Sequence, residues 1–255
     1  MKSVEKTIKI LDCLSDAERS LGVTEISSLL SIPKSTVHRI LTTLLNHSIV
    51  TRDSDTSKYR LGVQILKYAN SFYDSFDFRQ YSKNILKAVC METHLTTFLC
   101  IWQDGKGICI DSVVSSHNSH AHHLFVEVGK IMPFHCAASA KILLAYQAPK
   151  EISRIITNNQ FRKYTSKTIT DPDMLKKHLQ TVKLQNFAVC DEELEVGIRA
   201  ISVPIKDLNN QPIASLTITG LVSRIPINKL SYFIENLTKA AEKISNKVGY
   251  KRNLF

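Results

Sequence analysis

Lys34, Ser35, Thr36, His38, Arg39 and Thr42 lie close together in PKSTVHRILTTL, and each side chain carries a hydrogen-bond donor. Short or cationic donors gathered at the start of one helix suit the major groove of DNA, where base edges are read by hydrogen bonds. Further on, Arg52, Lys58 and Arg60 surround the polar stretch from Asp53 to Ser57, placed to meet backbone phosphates. A second pattern is the run His117-Asn-Ser-His120-Ala-His122-His123. On a strand His120 and His122 share a face and, with His117, His135 or Cys136, could ligate a metal. That spacing is permissive, and a solvated or interface strand is the preferred reading. A third is a thiol beside a base, Cys136 with His135 or Cys190 with the carboxylates after it, as nucleophilic catalysis requires. Adjacent residues on a strand or helix point apart, and no phosphate loop or acyl-transfer motif accompanies them. No enzyme and no cofactor are expected.

The apolar residues around the first pattern say what would position it. Ile26, Leu29 and Leu30 mark one helix, and Val37, Ile40, Leu41, Leu44 and Leu45 follow a 3.6-residue period on the next. Pro33 suits the first helical position, where its missing N–H costs nothing. Ile49 to Arg52 and Lys58 to Leu61 read as short strands joined by turn residues. Preceded by a helix from Val4 to Leu14, with Val4, Ile8, Leu11 and Leu14 inward, this is a winged helix-turn-helix over residues 1–62. Val63, Leu66, Ala69, Phe72 or Tyr73, and Phe76 then predict a linker helix over 63–78. Its aromatic stripe needs a partner, and a second copy would set two recognition helices about one DNA turn apart.

From residue 79 to 255 the pattern is mixed. Tyr81 to Cys90 is helical; Thr96 to Trp102 and Ile108 to Val114 are strands around the hairpin signal Asp104-Gly105. Asp171-Pro172 opens a helix to about Gln185, Ile198 to Ile205 and Ile213 to Thr219 are strands, and Asn228 to Val248 is an amphipathic helix. An antiparallel sheet with helices packed on it follows, so the fold class is α+β.

Composition bounds the rest. A chain of 255 residues suits two domains. The net charge of +10 is not concentrated in the DNA-reading part: residues 1–62 hold nine Lys/Arg against seven Asp/Glu. The useful asymmetry is local, five cations against two anions over residues 33–60. Six cysteines without CxxC or framework spacing fit reduced thiols, and no apolar run approaches the ~18 residues that span a membrane. A cytoplasmic protein without a signal peptide is expected.

Over nearly its whole length the chain resembles the IclR family of bacterial transcriptional regulators. The segments that carry the resemblance are PKSTVHRILTTL, the wing ending KYRLG, VGKIMPFHCAASAKILLA (128–145), FAVCDEELEVGIRAISVPI (187–205) and IASLTITG (213–220). It implies a winged helix-turn-helix joined by a linker helix to a GAF-like α/β effector-binding domain, and dimers or tetramers on palindromic double-stranded operator DNA. It also implies a ligand-responsive regulator, repressor rather than activator, of a catabolic or transport operon that senses a small organic acid. The family's carboxylate-binding backbone maps to Ala138 and Ser139 at the start of an apparent helix, where free N–H groups favour an anion. Its side-chain donors map to Thr217 and Thr219, which share one strand face. Cys190 stands where many members have an acid, Ala200 where a cysteine is common, and Ala140 where glycine precedes the lysine. A pocket with less charge and more apolar surface predicts a bulkier or aromatic acid rather than a two- or three-carbon one. Two alternatives stay open: a metal-responsive regulator using the His117–His123 cluster, and an enzyme with a DNA-binding appendage.

Overall fold

The computed structural model describes residues 3–17, 19–73, 76–115 and 126–252. His117, His120, His122 and His123 lie outside the described residues. The chain divides into two compact units, Met1–Phe76 and Asp77–Phe255.

The first unit holds α1 (Ser3–Asp16), α2 (Val23–Leu30), α3 (Lys34–Asn46), β1 (Val50–Arg52), β2 (Tyr59–Leu61) and α4 (Gln64–Tyr73). Its core is Ile10, Leu14, Leu21, Ile26, Ile32, Val37, Ile40, Leu41, Leu44, Val50 and Tyr59. The α2–α3 turn is tight because Ser31 adopts the left-handed conformation and the Ser27 hydroxyl donates to the Ile32 carbonyl at 2.6 Å. β1 and β2 form an antiparallel hairpin, and Leu21 bridges to Tyr59 through two backbone bonds of 2.8 and 2.9 Å, tying the wing to the loop before α2. Gly62 follows the wing at a place only glycine fits, since a Cβ there would lie 2.3 Å from the Ser48 carbonyl oxygen.

Three apolar expectations are corrected here. Leu14 is buried and Leu11 half-buried as expected, but Val4 and Ile8 are 70% and 53% exposed, and Ile10 takes the inward place. Ile10 lies four residues before Leu14 and Ile8 three before Leu11, so periodicity alone does not choose between Ile8 and Ile10. Leu29 and Leu45 are also exposed. Pro33 is the residue before α3 rather than its first residue; its carbonyl takes the Thr36 and Val37 N–H groups at 2.9 and 3.1 Å. α4 buries none of its side chains in this chain. The stretch 63–78 read as one linker helix contains α4, ending at Tyr73, and the start of a separate helix at Asp77.

The second unit is built on a six-stranded antiparallel sheet. Its strands are β3 (Thr96–Gln103), β4 (Lys106–Val113), β5 (Ile131–Met132), β6 (Ala188–Asp191), β7 (Ile198–Lys206) and β8 (Pro212–Leu221), in the order β5-β4-β3-β8-β7-β6. The β3–β4 hairpin turns at Asp104 and Gly105, both at positive φ. Side chains alternate across the sheet. Phe98, Cys100, Cys109, Cys190 and Ala200 join the core with α6 (Ala138–Ala145), α7 (Pro149–Asn158) and α8 (Pro172–Gln185). Leu99, Ile101, Ile201 and Val203 are buried on the other face, where α5 (Asp77–Thr93) and α9 (Leu230–Arg252) pack. Asp171 caps α8 by accepting the Met174 N–H at 2.7 Å. Phe233, Leu237, Ala241 and Ile244 are buried on α9 as expected, with Ala240 beside them.

Candidate DNA-reading surface and effector cavity

Val37, Ile40, Leu41 and Leu44 anchor α3 in the core, which turns Lys34, Ser35, His38, Arg39 and Thr42 to solvent and leaves Thr36 half-buried. With no side-chain cap at Pro33, the first N–H groups of α3 have no acceptor in the helix and can meet a phosphate. The Thr42 hydroxyl is engaged with the His38 carbonyl at 2.9 Å. At the wing, Asp53 folds the tip by accepting from the Thr56 N–H and hydroxyl at 2.8 Å each, which holds its carboxyl below the usual range. Arg60 is exposed, Arg52 lies over the Tyr59 ring at 5.8 Å, and Lys58 is 4.0 Å from Glu25. Lys58 is thus drawn toward α2.

In the second unit all six residues singled out for an effector, Ala138, Ser139, Cys190, Ala200, Thr217 and Thr219, line one cavity of about 330 Å³. α6 is buried along its whole length. It can lie so close to the sheet because β4 offers Gly107, where a Cβ would be 2.9 Å from the Ala140 methyl. Ala137 gives α6 no side-chain cap, so the N–H groups of Ala138, Ser139 and Ala140 have no acceptor within the helix. The Ser139 hydroxyl is buried and has the Cys100 thiol beside it. Thr217 and Ser202 share a hydroxyl contact of 2.8 Å, and the Thr219 hydroxyl donates to the Arg199 carbonyl at 3.4 Å. Cys190 and Ala200 are opposed partners across β6 and β7.

Sequence reasoning missed what lies behind the cavity. The Lys141 ammonium is wholly buried and donates to Glu193 Oε1 at 2.6 Å and to the Val189 carbonyl at 2.8 Å. Burial pushes the Glu193 carboxyl up against the pull of Lys141, and its Oε2 has no partner. The segment after β6 is clamped further. Thr165 donates to the Glu192 carbonyl and Thr168 to the Glu193 carbonyl, each at 2.7 Å, while Lys167 reaches Glu192 at 2.6 Å and Asp191 at 3.2 Å. Arg199 grips Asp191 at 2.7 Å and also the Ile225 carbonyl. The available signal was a lysine inside the apolar run ASAKILLA, which demands a buried counter-charge.

His135 Nε2 donates to the Arg162 carbonyl at 2.9 Å, and the ring stacks on Tyr164, which lines the cavity. Burial holds its imidazole below the usual range. Burial drives the Cys136 thiol far up and raises Cys190 as well, so neither is the thiolate that the enzyme alternative requires. Among the described residues no group of three or more His, Cys, Asp or Glu could hold a metal.

His178 on α8 has a sharper consequence. Burial, with Lys141 nearby, lowers its imidazole to about 4, and its Nε2 is buried without a partner. The unfolded imidazole titrates near 6.5. Above that pH both states are neutral and the group has no effect. As pH falls from 6.5 toward 4 the unfolded chain takes a proton that the folded one refuses, so stability is lost there. Allowing for partial exposure, the loss is about 2 kcal/mol. Melting temperature against pH is expected to fall less over this window for His178→Leu than for the parent, and equal slopes would refute the assignment.

A winged reading head on a chain whose second unit encloses a small-molecule cavity is the build of a ligand-responsive DNA-binding transcription regulator. The IclR helix-turn-helix domain matches residues 3–54, and the domain described as Bacterial transcriptional regulator IclR C-terminal matches residues 71–246. The chain belongs to the IclR family. The HTH-type transcriptional regulator XynR of Escherichia coli is 30% identical over 250 residues, 98% of each chain. The IclR structure from Thermotoga maritima superposes with a TM-score of 0.79 at 27% identity, covering 97% of this chain and 99% of that one. An IclR homolog of Microbacterium hydrocarbonoxydans, complexed with 4-hydroxybenzoate, shares the fold at TM-score 0.84 and 20% identity, covering 97% and 99%. Among the described residues no helix is long and apolar enough to cross a membrane.

Proposed function

We propose that this regulator is a repressor of a catabolic or transport operon and that a small carboxylate, held in the 330 Å³ cavity, releases it from its operator. The observation that carries the reading is the uncapped start of α6 at the cavity wall. Free N–H groups at a helix start suit a carboxylate. Thr217 and Thr219 form the facing wall, with Cys190 and Ala200 beside them. The operator is read by Lys34, Ser35, Thr36, His38, Arg39 and Thr42, with Arg52, Lys58 and Arg60 at the wing. The protein works as a homo-oligomer, dimer or tetramer. Support for that comes from α4, which carries Leu66 at 64% and Tyr68 at 53% exposure and buries nothing in its own chain.

The test is fluorescence anisotropy on the DNA upstream of the chain's own gene, titrated across salt, with footprinting. The expected result is tight binding with a steep salt dependence and two protected half-sites separated by a multiple of about 10 bp. Carboxylates are then screened for release of that DNA. Tighter binding on adding the acid would make the protein an activator or co-repressed regulator, and protection of a single half-site would refute the dimer.

A further inference from the structure

We infer that the wing carries an electrostatic brake on sequence-blind DNA binding: Asp53 and Asp55 at its tip repel the phosphates that Arg60 attracts. The inference rests on the reading that the wing meets the DNA backbone. The register of the hairpin decides which side can do so. Val50 is paired with Leu61, Thr51 with Arg60 and Arg52 with Tyr59, and paired residues share a face. Val50 and Tyr59 are buried, so their face, which carries Arg52 over the Tyr59 ring, is turned to the core. Thr51 and Arg60 hold the outer face, and Arg60 is exposed. The Asp53 N–H donates to the Lys58 carbonyl at 2.9 Å, which carries the ladder one pair further toward the tip. By alternation Asp53 follows Thr51 on the outer face, about 7 Å along the strand.

The fold asks different things of the two carboxylates. Asp53 folds the turn, taking the Thr56 N–H and hydroxyl at 2.8 Å each and the Asp55 N–H at 3.1 Å. Those bonds hold its carboxyl below the usual range, with the Arg60 charge adding to the pull, so Asp53 is an anion at neutral pH. Asp55 has no such task. It is exposed, and its carboxylate takes the Ser54 hydroxyl at 3.2 Å, a bond that an amide oxygen would accept as well. The neighbouring cations do not cancel the pair. Lys58 is 4.0 Å from Glu25, and Arg52 is on the other face. A phosphate held by Arg60 therefore comes within about a Debye length, ~10 Å at 0.1 M salt, of two negative charges. Sequence-blind binding is almost wholly charge attraction, so the repulsion acts there in full, while base contacts from α3 offset it at an operator. Repulsion of this kind sharpens discrimination by weakening the wrong complex.

The experiment is fluorescence anisotropy of the full-length protein on a short duplex of random sequence, between about 50 and 200 mM salt. Asp55→Asn is expected to tighten binding about three-fold at the low-salt end and Asp55→Lys about ten-fold, both gains shrinking as salt rises. Asp173→Asn, which removes an exposed carboxylate from α8, should bind as the parent does. Arg60→Ala, measured alongside, should lower the slope of log affinity against log salt. Both Asp55 variants binding as the parent, while Arg60→Ala lowers the slope, would overturn the brake and leave the wing contact standing. Arg60→Ala with an unchanged slope would overturn the wing contact and the brake with it. Asp173→Asn tightening as much as Asp55→Asn would assign the gain to net charge rather than to the wing tip, and that too would overturn the inference.

Discussion

Glu193→Ala is expected to destabilise the C-terminal unit by about 3–5 kcal/mol, the cost of leaving a buried charge without its partner. The reason lies in where Lys141 sits. It is fully buried in α6, its carbon stem lies among apolar neighbours, and its ammonium has two acceptors, the Glu193 carboxylate at 2.6 Å and the Val189 carbonyl at 2.8 Å. Removing the carboxylate leaves one carbonyl to solvate a full charge inside the protein. For a unit of this size the melting transition should fall by on the order of 10 °C. The double variant Glu193→Ala with Lys141→Met should recover most of that loss, because a buried pair replaced by apolar groups is often neutral. Thermal unfolding followed by near-ultraviolet circular dichroism reads both. A single variant as stable as the parent would mean that water reaches Lys141, and a double variant as unstable as the single would mean that packing rather than charge was lost. Since Lys141 ties α6 to the segment that carries Leu194 and Glu195, the single variant should also loosen the cavity.

What the sequence made legible follows periodicity and local motif. The recognition helix was readable because Val37, Ile40, Leu41 and Leu44 leave one polar face for His38 and Arg39, and α3 keeps that arrangement. The convergence of Ala138, Ser139, Cys190, Ala200, Thr217 and Thr219 was available only through resemblance, since those residues come from four separate elements and no local pattern joins them. On α1 the expectation holds for Leu11 and Leu14 but fails for Val4 and Ile8, because Ile10 fits the helical spacing to Leu14 equally well and which residue is buried depends on where α2 and β2 lie. The Lys141–Glu193 pair is 52 residues apart in sequence, and the Thr165 and Thr168 bonds to the 192–193 carbonyls span 25 to 27. Such contacts are set by the topology of β6, α6 and the segment between α7 and α8, and nothing in the neighbouring residues announces them. Leu29 and Leu66 are exposed in a single chain, so hydrophobicity there reports on something other than the core of one copy.

Arg39→Ala should weaken operator binding by about 1–3 kcal/mol, roughly 5- to 150-fold, while leaving binding to unrelated DNA nearly unchanged. The fold gives little reason to expect any other effect. Arg39 is exposed, makes no ion pair among the described residues, and alanine is the better helix former, so α3 keeps its four buried anchors and its place. A planar guanidinium in the first turns of a recognition helix is the group that reaches guanine in a bidentate way, and its loss therefore removes discrimination as well as affinity. Arg60→Ala supplies the contrast. At the exposed edge of the wing it should weaken specific and non-specific binding alike and lower the slope of log affinity against log salt by about 0.9, one phosphate contact. Lys58→Ala should have a smaller effect than Arg60→Ala, because Glu25 already lies 4.0 Å from its ammonium. Equal losses on both DNAs for Arg39→Ala, with the slope reduced, would move Arg39 from base edge to phosphate. No loss on either DNA would mean that the exposed face of α3 is not the one that enters the groove.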